Sequence, residues 1–90
     1  MYKISYTERA EKDLTKLKRN EPQSFKKVVK LIDELVEHPT TGTGKPEQLS
    51  GNRTGQWSRR ISDKHRLIYL VYNDNVVVLL LSAYGHYDDK

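Results

Sequence analysis

The segment GTGKPEQL, Gly42 to Leu49, places Lys45 and Glu47 on either side of a proline, in a stretch without helical or strand periodicity. Folding needs neither charge there, whereas a carboxylate can accept a proton and an ammonium can hold an anion. The segment belongs to a long connector, residues 40–56, that contains four of the five glycines. A connector of this length in so small a domain usually has a function, which makes it a candidate binding element.

Two further groups of polar residues follow the connector. Arg59 and Arg60 are adjacent in WSRRIS, Arg66 lies in HRLIYLVY, and His86 and Tyr87 come after a glycine near the end of the chain. Each has an ordinary explanation when it is taken alone: an arginine pair often solvates a sheet edge, and a histidine near a terminus is often merely exposed. The case for chemistry therefore depends on whether these groups occur in one recognisable combination.

Several classes of site are excluded by the residue types and their spacing. The histidines at positions 38, 65 and 86 have no metal-ligand spacing with a carboxylate, so we predict no metal site and no cofactor. The chain has no cysteine, which excludes disulfides, iron–sulfur clusters and thiolate zinc sites. No nucleophile elbow is present, and the glycine-rich segment does not meet the phosphate-loop pattern.

Length and charge set the remaining bounds. Ninety residues predict a single domain, 1–90, with one modest core. A formal charge of +4 favours a polyanionic partner such as nucleic acid, although a soluble surface that happens to be basic is an equally simple interpretation. Met1 to Ala10 lacks a signal-like apolar run, and the longest apolar stretch, Val76 to Leu81, is too short to span a bilayer. We expect a cytoplasmic protein with no membrane contact.

The periodicity predicts an α+β fold. Tyr2 to Tyr6 alternates like an edge strand, and Thr7 is a suitable N-cap for a first helix. A second helix starts near Pro22, continues with apolar residues at helical spacing and ends before Pro39. Three strands then form an antiparallel meander. The predicted architecture is an N-terminal strand, a helical hairpin and this meander, with the helices on one face of the sheet.

Alternation along the strands sorts the charged residues between the two faces. Trp57 and Ile61 are the better pair to bury, and they share their face with Arg59, so Arg60 should project from the open face. In the next strand both alternating sets are apolar, so the pattern leaves their faces open. His65 and Arg66 must point to opposite faces, and at most one of them joins Arg60.

The joint pattern of GTGKPEQL, GQWSRRISDKHRLIYLVY and GHY, in this order within 90 residues, closely resembles the YoeB/Txe toxins of the RelE superfamily. These bacterial toxins of type II toxin–antitoxin modules are mRNA endoribonucleases (mRNA interferases), and their pattern is similar to GKPE-x-L, G-x-(W/Y)-SRRI-x-x-x-HRL-(I/V)-Y and a terminal HY. The resemblance covers nearly the whole chain and agrees with the order of elements predicted above.

The resemblance implies metal-free cleavage of mRNA in the A site of the 70S ribosome. Glu47 matches the general base and His86 the general acid, and Arg66 matches a charge-stabilising arginine. Tyr87 would position or stack a base. The predicted substrate-binding residues are Arg60, Lys45 and Arg59.

The same resemblance implies partners. Such toxins pair with a YefM/Phd-type antitoxin, and the complex of the two proteins, not the toxin alone, would bind operator DNA. It leaves open whether the chain also forms a homodimer. Two alternatives come from other functional classes: a ParE-like toxin that binds DNA gyrase and cuts no RNA, and a non-catalytic ribosome- or RNA-binding protein. The fold does not separate them from a nuclease, whereas the combined carboxylate, arginine and imidazole favour the nuclease.

Overall fold

The computed structural model describes residues 1–49 and 55–83, with only the backbone for residues 80–83. Its elements in chain order are β1 (Lys3–Tyr6), α1 (Glu8–Asn20), α2 (Pro22–Leu35), β2 (Glu47–Gln48), β3 (Gln56–Arg60), β4 (His65–Tyr72) and β5 (Asn75–Ala83). They confirm the predicted α+β class and the order of N-terminal strand, helical hairpin and meander. The unpredicted element is β2, which lies within the long connector.

The two helices start where the sequence predicts. The Thr7 hydroxyl accepts a hydrogen bond from the Ala10 amide at 3.0 Å, which satisfies one of the free N–H groups at the start of α1. The same hydroxyl donates to the Leu79 carbonyl at 2.5 Å and so ties the start of α1 to β5. Pro22 occupies the first turn of α2, where its missing N–H costs no hydrogen bond. Only Glu21 separates α1 from α2, so the chain turns sharply between the helices.

The five strands form one sheet in the order β1-β5-β4-β3-β2. The β5–β4, β4–β3 and β3–β2 pairs are antiparallel, whereas β1 pairs with β5 in parallel, Lys3 opposite Asn75 and Tyr6 opposite Val78. The sheet edges are therefore the first strand of the chain and the two-residue strand that carries Glu47. A register shift between Ile68 and Tyr69 marks an irregularity in the β4–β5 ladder.

Both helices pack against one face of the sheet, as predicted. The main core joins buried residues of α1 and α2 to the inward-facing residues of the long strands: Ala10, Leu17, Val28, Leu31, Leu35, Ile61, Leu67, Tyr69, Val76 and Val78. We call this side the helix face and the other side the far face. Across residues 1–49 and 55–83, no helix has the length and apolar character that crossing a membrane requires.

Candidate active site

The pairing of β3 with β4 assigns each arginine to a face of the sheet. Arg59 lies opposite Leu67 on the helix face, whereas Arg60 lies opposite Arg66 on the far face. The prediction that Arg60 projects away from the core is confirmed. The sequence left open whether His65 or Arg66 shares a face with Arg60. In the structure, Arg66 lies on the same face as Arg60.

Glu47 belongs to the same far face. It lies opposite Ser58 across the β2–β3 ladder, and Ser58 is two residues before Arg60 on one strand. The Ser58 hydroxyl accepts a hydrogen bond from Arg66 Nη1 at 3.3 Å. Opposed residues of an antiparallel pair point to the same side, so a carboxylate and two guanidinium groups surround this buried serine. We call the set Glu47, Ser58, Arg60 and Arg66 the far-face cluster.

Burial within the far-face cluster is graded. Ser58 and its neighbour Ile68 have no exposed surface, Arg66 is half-buried, and Glu47 and Arg60 are exposed. Arg60 forms an ion pair with Asp63 at 2.6 Å, with the Asp63 side chain 92% exposed. An exposed pair of this kind is worth little and can be exchanged for another anion. The cluster thus has a sealed floor and a charged, accessible rim.

Lys45 precedes β2 in an unusual backbone conformation. Its φ is 50°, in the left-handed region that residues other than glycine and asparagine seldom adopt. The preceding Gly44 accepts a hydrogen bond at its carbonyl from the Arg60 amide at 2.8 Å, so Lys45 starts next to Arg60. Lys45 is exposed, so its ammonium is accessible beside Arg60 despite the strained backbone.

Arg59 is not where a substrate-binding residue should be. Its side chain has no exposed surface, and every N–H group is within reach of an acceptor. Nε donates to the Tyr69 hydroxyl at 3.1 Å, and Nη1 donates to Glu34 Oε1 at 2.8 Å. The remaining acceptors are the carbonyls of Thr43, His38 and Thr41. A guanidinium sealed and saturated in this way has no donor for phosphate, which argues against the predicted substrate contact.

The residues around Arg59 form an anchor for the start of the connector. Glu34 accepts hydrogen bonds from both Arg59 and the Thr43 amide, the latter at 2.9 Å. The bonds from Thr43 and, to a smaller extent, from Arg59 hold the pKa of Glu34 below its ordinary value. Tyr69 donates its hydroxyl to the Pro39 carbonyl at 2.6 Å, and burial raises its pKa. We call Arg59, Glu34 and Tyr69 the buried anchor.

The His65 side chain lies on the opposite face of β4 from that of Arg66. Its Nε2 lies 2.9 Å from Glu21 Oε2, and the side chains are 15% and 37% exposed. The hydrogen bond from His65 is the main reason that the pKa of Glu21 lies below its ordinary value. The pair links the β3–β4 turn to the junction between the helices. Periodicity indicated that His65 and Arg66 diverge, but no local signal identifies a partner 44 residues away.

The remaining predicted residues, His86 and Tyr87, lie outside the described residues. The described chain ends with β5, where Ser82 is opposite Arg66 and Ala83 is opposite His65. The described part of β5 therefore ends beside Arg66, which in turn lies opposite Arg60. Within residues 1–49 and 55–83, no three histidine or acidic side chains are grouped closely enough to hold a metal ion.

Sequence and structure comparisons identify related proteins. The family of YoeB-like toxins of bacterial type II toxin–antitoxin systems matches residues 6–87. Toxin YoeB of Synechocystis sp. is 36% identical over 85 residues, which cover 94% of this chain and 96% of that protein. The YoeB/ParE toxin from Agrobacterium tumefaciens superposes with a TM-score of 0.84 at 31% identity, covering 90% of this chain and 96% of that one.

Two Staphylococcus aureus structures are similarly close, each with a TM-score of 0.80 at 30% identity. One is a YoeB dimer, which covers 90% of this chain and 94% of that chain. The other is a heterotetrameric YoeB–YefM toxin–antitoxin complex, with 91% of this chain and 95% of that chain covered. The family match over most of the chain, together with a relative aligned almost end to end, shows that this chain belongs to the YoeB-like toxins of bacterial type II toxin–antitoxin systems.

Proposed function

We propose that this toxin is a ribosome-dependent endoribonuclease that cleaves mRNA in the A site by metal-independent transesterification. The observation that carries the proposal is the far-face cluster, in which Glu47, Arg60 and Arg66 share one face around the buried Ser58. A carboxylate beside two guanidinium groups suits a reaction that removes a proton and gathers negative charge on phosphorus.

The proposed reaction needs no outside nucleophile. The 2′-oxygen of the RNA forms a bond to the adjacent phosphorus, and Glu47 takes the proton from that hydroxyl. The bond from phosphorus to the 5′-oxygen breaks, and His86 supplies a proton to this leaving group. The products are a 2′,3′-cyclic phosphate and a free 5′-hydroxyl. Arg66 and Arg60 stabilise the charge on the phosphoryl oxygens, Lys45 supplies a further cation, and Tyr87 holds a base.

The ribosome is proposed to supply the geometry that the protein lacks. Glu47, Arg60 and Lys45 are exposed, and exposed side chains alone do not bend single-stranded RNA into an in-line arrangement. We expect purified protein to cut naked RNA far more slowly than translated message. Equal rates on the two substrates would contradict ribosome dependence while leaving nuclease activity in place.

The experiment compares variants in a translating extract and maps the 5′ ends of the message. Glu47→Ala and His86→Ala are each expected to slow cleavage by about 10²–10⁴-fold, the usual contribution of a general base or acid. Glu37→Ala, at an exposed glutamate after α2, is the matched control and should cleave at the wild-type rate. Cleavage that survives both test variants would refute the assigned roles.

A second arm tests the chemistry itself. A message with a single 2′-deoxynucleotide at the mapped position has no nucleophile, so cleavage there should stop, while the all-ribose message is cut. Unchanged cutting of the deoxy-substituted message would exclude transesterification. Intact message together with altered DNA supercoiling and growth arrest would instead favour the gyrase-binding alternative.

We further propose a YefM/Phd-type antitoxin as the physiological partner, in the bacterial cytoplasm. The S. aureus YoeB–YefM complex supports this partner, and the net charge of +4 suits an acidic segment that folds on binding. Operator DNA would bind only to the toxin–antitoxin complex. The S. aureus YoeB dimer supports a homodimer of this chain, which sedimentation of the purified toxin can test.

A further inference from the structure

The conformation of the connector before β2 depends on backbone groups and on very few side chains of its own. Gly42 and Gly44 have φ of 112° and 87°, and Lys45 has a φ of 50°. The φ of Gly42 favours glycine there, and a Cβ would lie 2.5 Å from Glu34 Oε1, so a larger residue would displace that carboxylate. Gly42 and Gly44 adopt positive φ at little cost, whereas the same region is costly for Lys45 unless its surroundings hold it in place.

The buried anchor provides that restraint. The carbonyl of His38, just before the connector, and those of Thr41 and Thr43 within it accept hydrogen bonds from the single guanidinium of Arg59. Glu34 holds the Thr43 amide from the other side, and Tyr69 holds the Pro39 carbonyl. Residues 38–43 thus wrap around one side chain that comes from β3, the strand that also carries Ser58 and Arg60.

The anchored segment leads directly to the proposed base. Gly44 accepts from the Arg60 amide at 2.8 Å, and three residues later Glu47 lies opposite Ser58. β2 has only two residues, so its own ladder supplies little restraint at the edge of the sheet. The Leu49 amide donates to the Gln56 carbonyl at 2.9 Å after β2, and the anchored segment restrains Glu47 from the other side.

We propose that Arg59 is a positioning residue, which acts on cleavage by fixing the connector and through it the place of Glu47. The charge of Arg59 does not reach the substrate, because the side chain lies on the helix face and is paired with Glu34 at 2.8 Å. The proposal rests on the nuclease function proposed above, and it gives Arg59, the first arginine of SRRI, a role distinct from that of Arg60.

The test is Arg59→Lys, which keeps the charge but can replace at most three of the five donated hydrogen bonds. Arg19→Lys, the same change at an exposed residue of α1, is the matched control. Single-turnover cleavage of A-site message should fall about 10²-fold in Arg59→Lys, the size expected for a misplaced group. The toxin concentration that half-saturates the ribosomes should stay unchanged. All rates are measured below the unfolding transition of each variant.

A double-mutant cycle separates positioning from a general loss of structure. If Arg59 acts through Glu47, then adding Arg59→Lys to Glu47→Ala should not slow the residual reaction further. An equal loss in both backgrounds would overturn the proposal, and so would a wild-type rate in Arg59→Lys. Absence of ribosome-dependent cleavage by the wild-type protein is a different outcome, because it would remove the proposed function itself.

A second variant tests the connector without altering the arginine. Gly42→Ala introduces a Cβ against Glu34 Oε1 and should speed hydrogen exchange at the Thr43 and Arg60 amides, which bond to Glu34 and Gly44. These two amides report the anchored conformation even in the absence of ribosomes. Faster exchange should come with slower cleavage, again only when Glu47 is present. Faster exchange with unchanged cleavage would contradict the proposal.

Discussion

Arg60 and Arg66 are direct partners across the β3–β4 ladder, so their side chains leave the far face of the sheet side by side. Like charges placed directly opposite each other in a sheet are destabilising. Asp63 pairs with Arg60 at 2.6 Å from an exposed position, and Ser58 accepts from Arg66. An arrangement that opposes two guanidinium groups favours an anion between them, which is how a phosphodiester would lie.

The repulsion between these arginines should appear as a salt effect on stability. Raising NaCl from about 0.01 M to 1 M screens the repulsion, so wild-type stability should rise more than that of Arg66→Gln, by about 0.5 kcal/mol. The Arg60–Asp63 ion pair is present in both proteins and cancels in the comparison. Urea unfolding at the two salt concentrations measures the difference. Identical salt effects in both proteins would show that the opposed charges do not interact.

Ser58 should matter for cleavage although it is fully buried. Ser58→Ala removes the acceptor for Arg66 Nη1, and we expect about a tenfold slower reaction because the guanidinium is less well oriented. Stability should fall by about 1 kcal/mol, the value of one ordinary hydrogen bond. Single-turnover cleavage and urea unfolding measure the two effects. Ser5→Ala, on the edge strand β1, is the control, and an unchanged rate for Ser58→Ala would argue against orientation of Arg66 by Ser58.

Removing the Tyr69 hydroxyl should destabilise the fold. Tyr69→Phe keeps the ring in the core but leaves Arg59 Nε and the Pro39 carbonyl each without this partner. The expected loss is about 1–3 kcal/mol, because buried polar groups then lack hydrogen bonds. Tyr72→Phe, at a residue 66% exposed, should have no measurable effect. Equal unfolding midpoints for Tyr69→Phe and Tyr72→Phe would mean that the hydroxyl contributes nothing.

The buried anchor should make stability depend on acid pH through Glu34. Its pKa in the folded protein is lower than the ordinary value of 4.5, so the unfolded chain binds a proton more readily. The stabilisation is therefore present above pH 4.5 and is lost as the pH falls through the lowered value. The advantage of wild type over Glu34→Gln should be largest near pH 7 and shrink below pH 4.5. Denaturant unfolding at each pH measures the free energy of unfolding of both proteins. A difference between wild type and Glu34→Gln that grows as the pH falls would contradict the prediction.

Strand alternation predicted the part of the site that depends on a single strand. Trp57 and Ile61 are the better pair to bury, which predicts that Arg60 faces away from them, and the structure confirms the orientation of Arg60. The choice between His65 and Arg66 needed the pairing register, because both faces of β4 carry apolar residues. Alternation alone gives no preference between the two faces of a strand that is apolar on both.

The connector and its anchor could not be predicted, for physical reasons. A two-residue strand such as β2 is too short to show alternation, so Glu47 was predicted to lie in a loop. The burial of Arg59 depends on carbonyls 16 to 21 residues earlier in the chain, and no side-chain pattern identifies a carbonyl as an acceptor. Strand alternation places Arg59 on the same face as Trp57 and Ile61, although Arg59 was also among the predicted substrate-binding residues. Only the three-dimensional pairing with Glu34 makes a buried guanidinium acceptable.

The parallel pairing of β1 with β5 has a consequence for synthesis of the toxin. Residues 3–6 pair with residues 75–78, so the five-stranded sheet cannot close until residue 78 has been synthesised and has left the ribosome. A nascent toxin therefore lacks its first edge strand in the sheet for as long as β5 has not emerged from the ribosome.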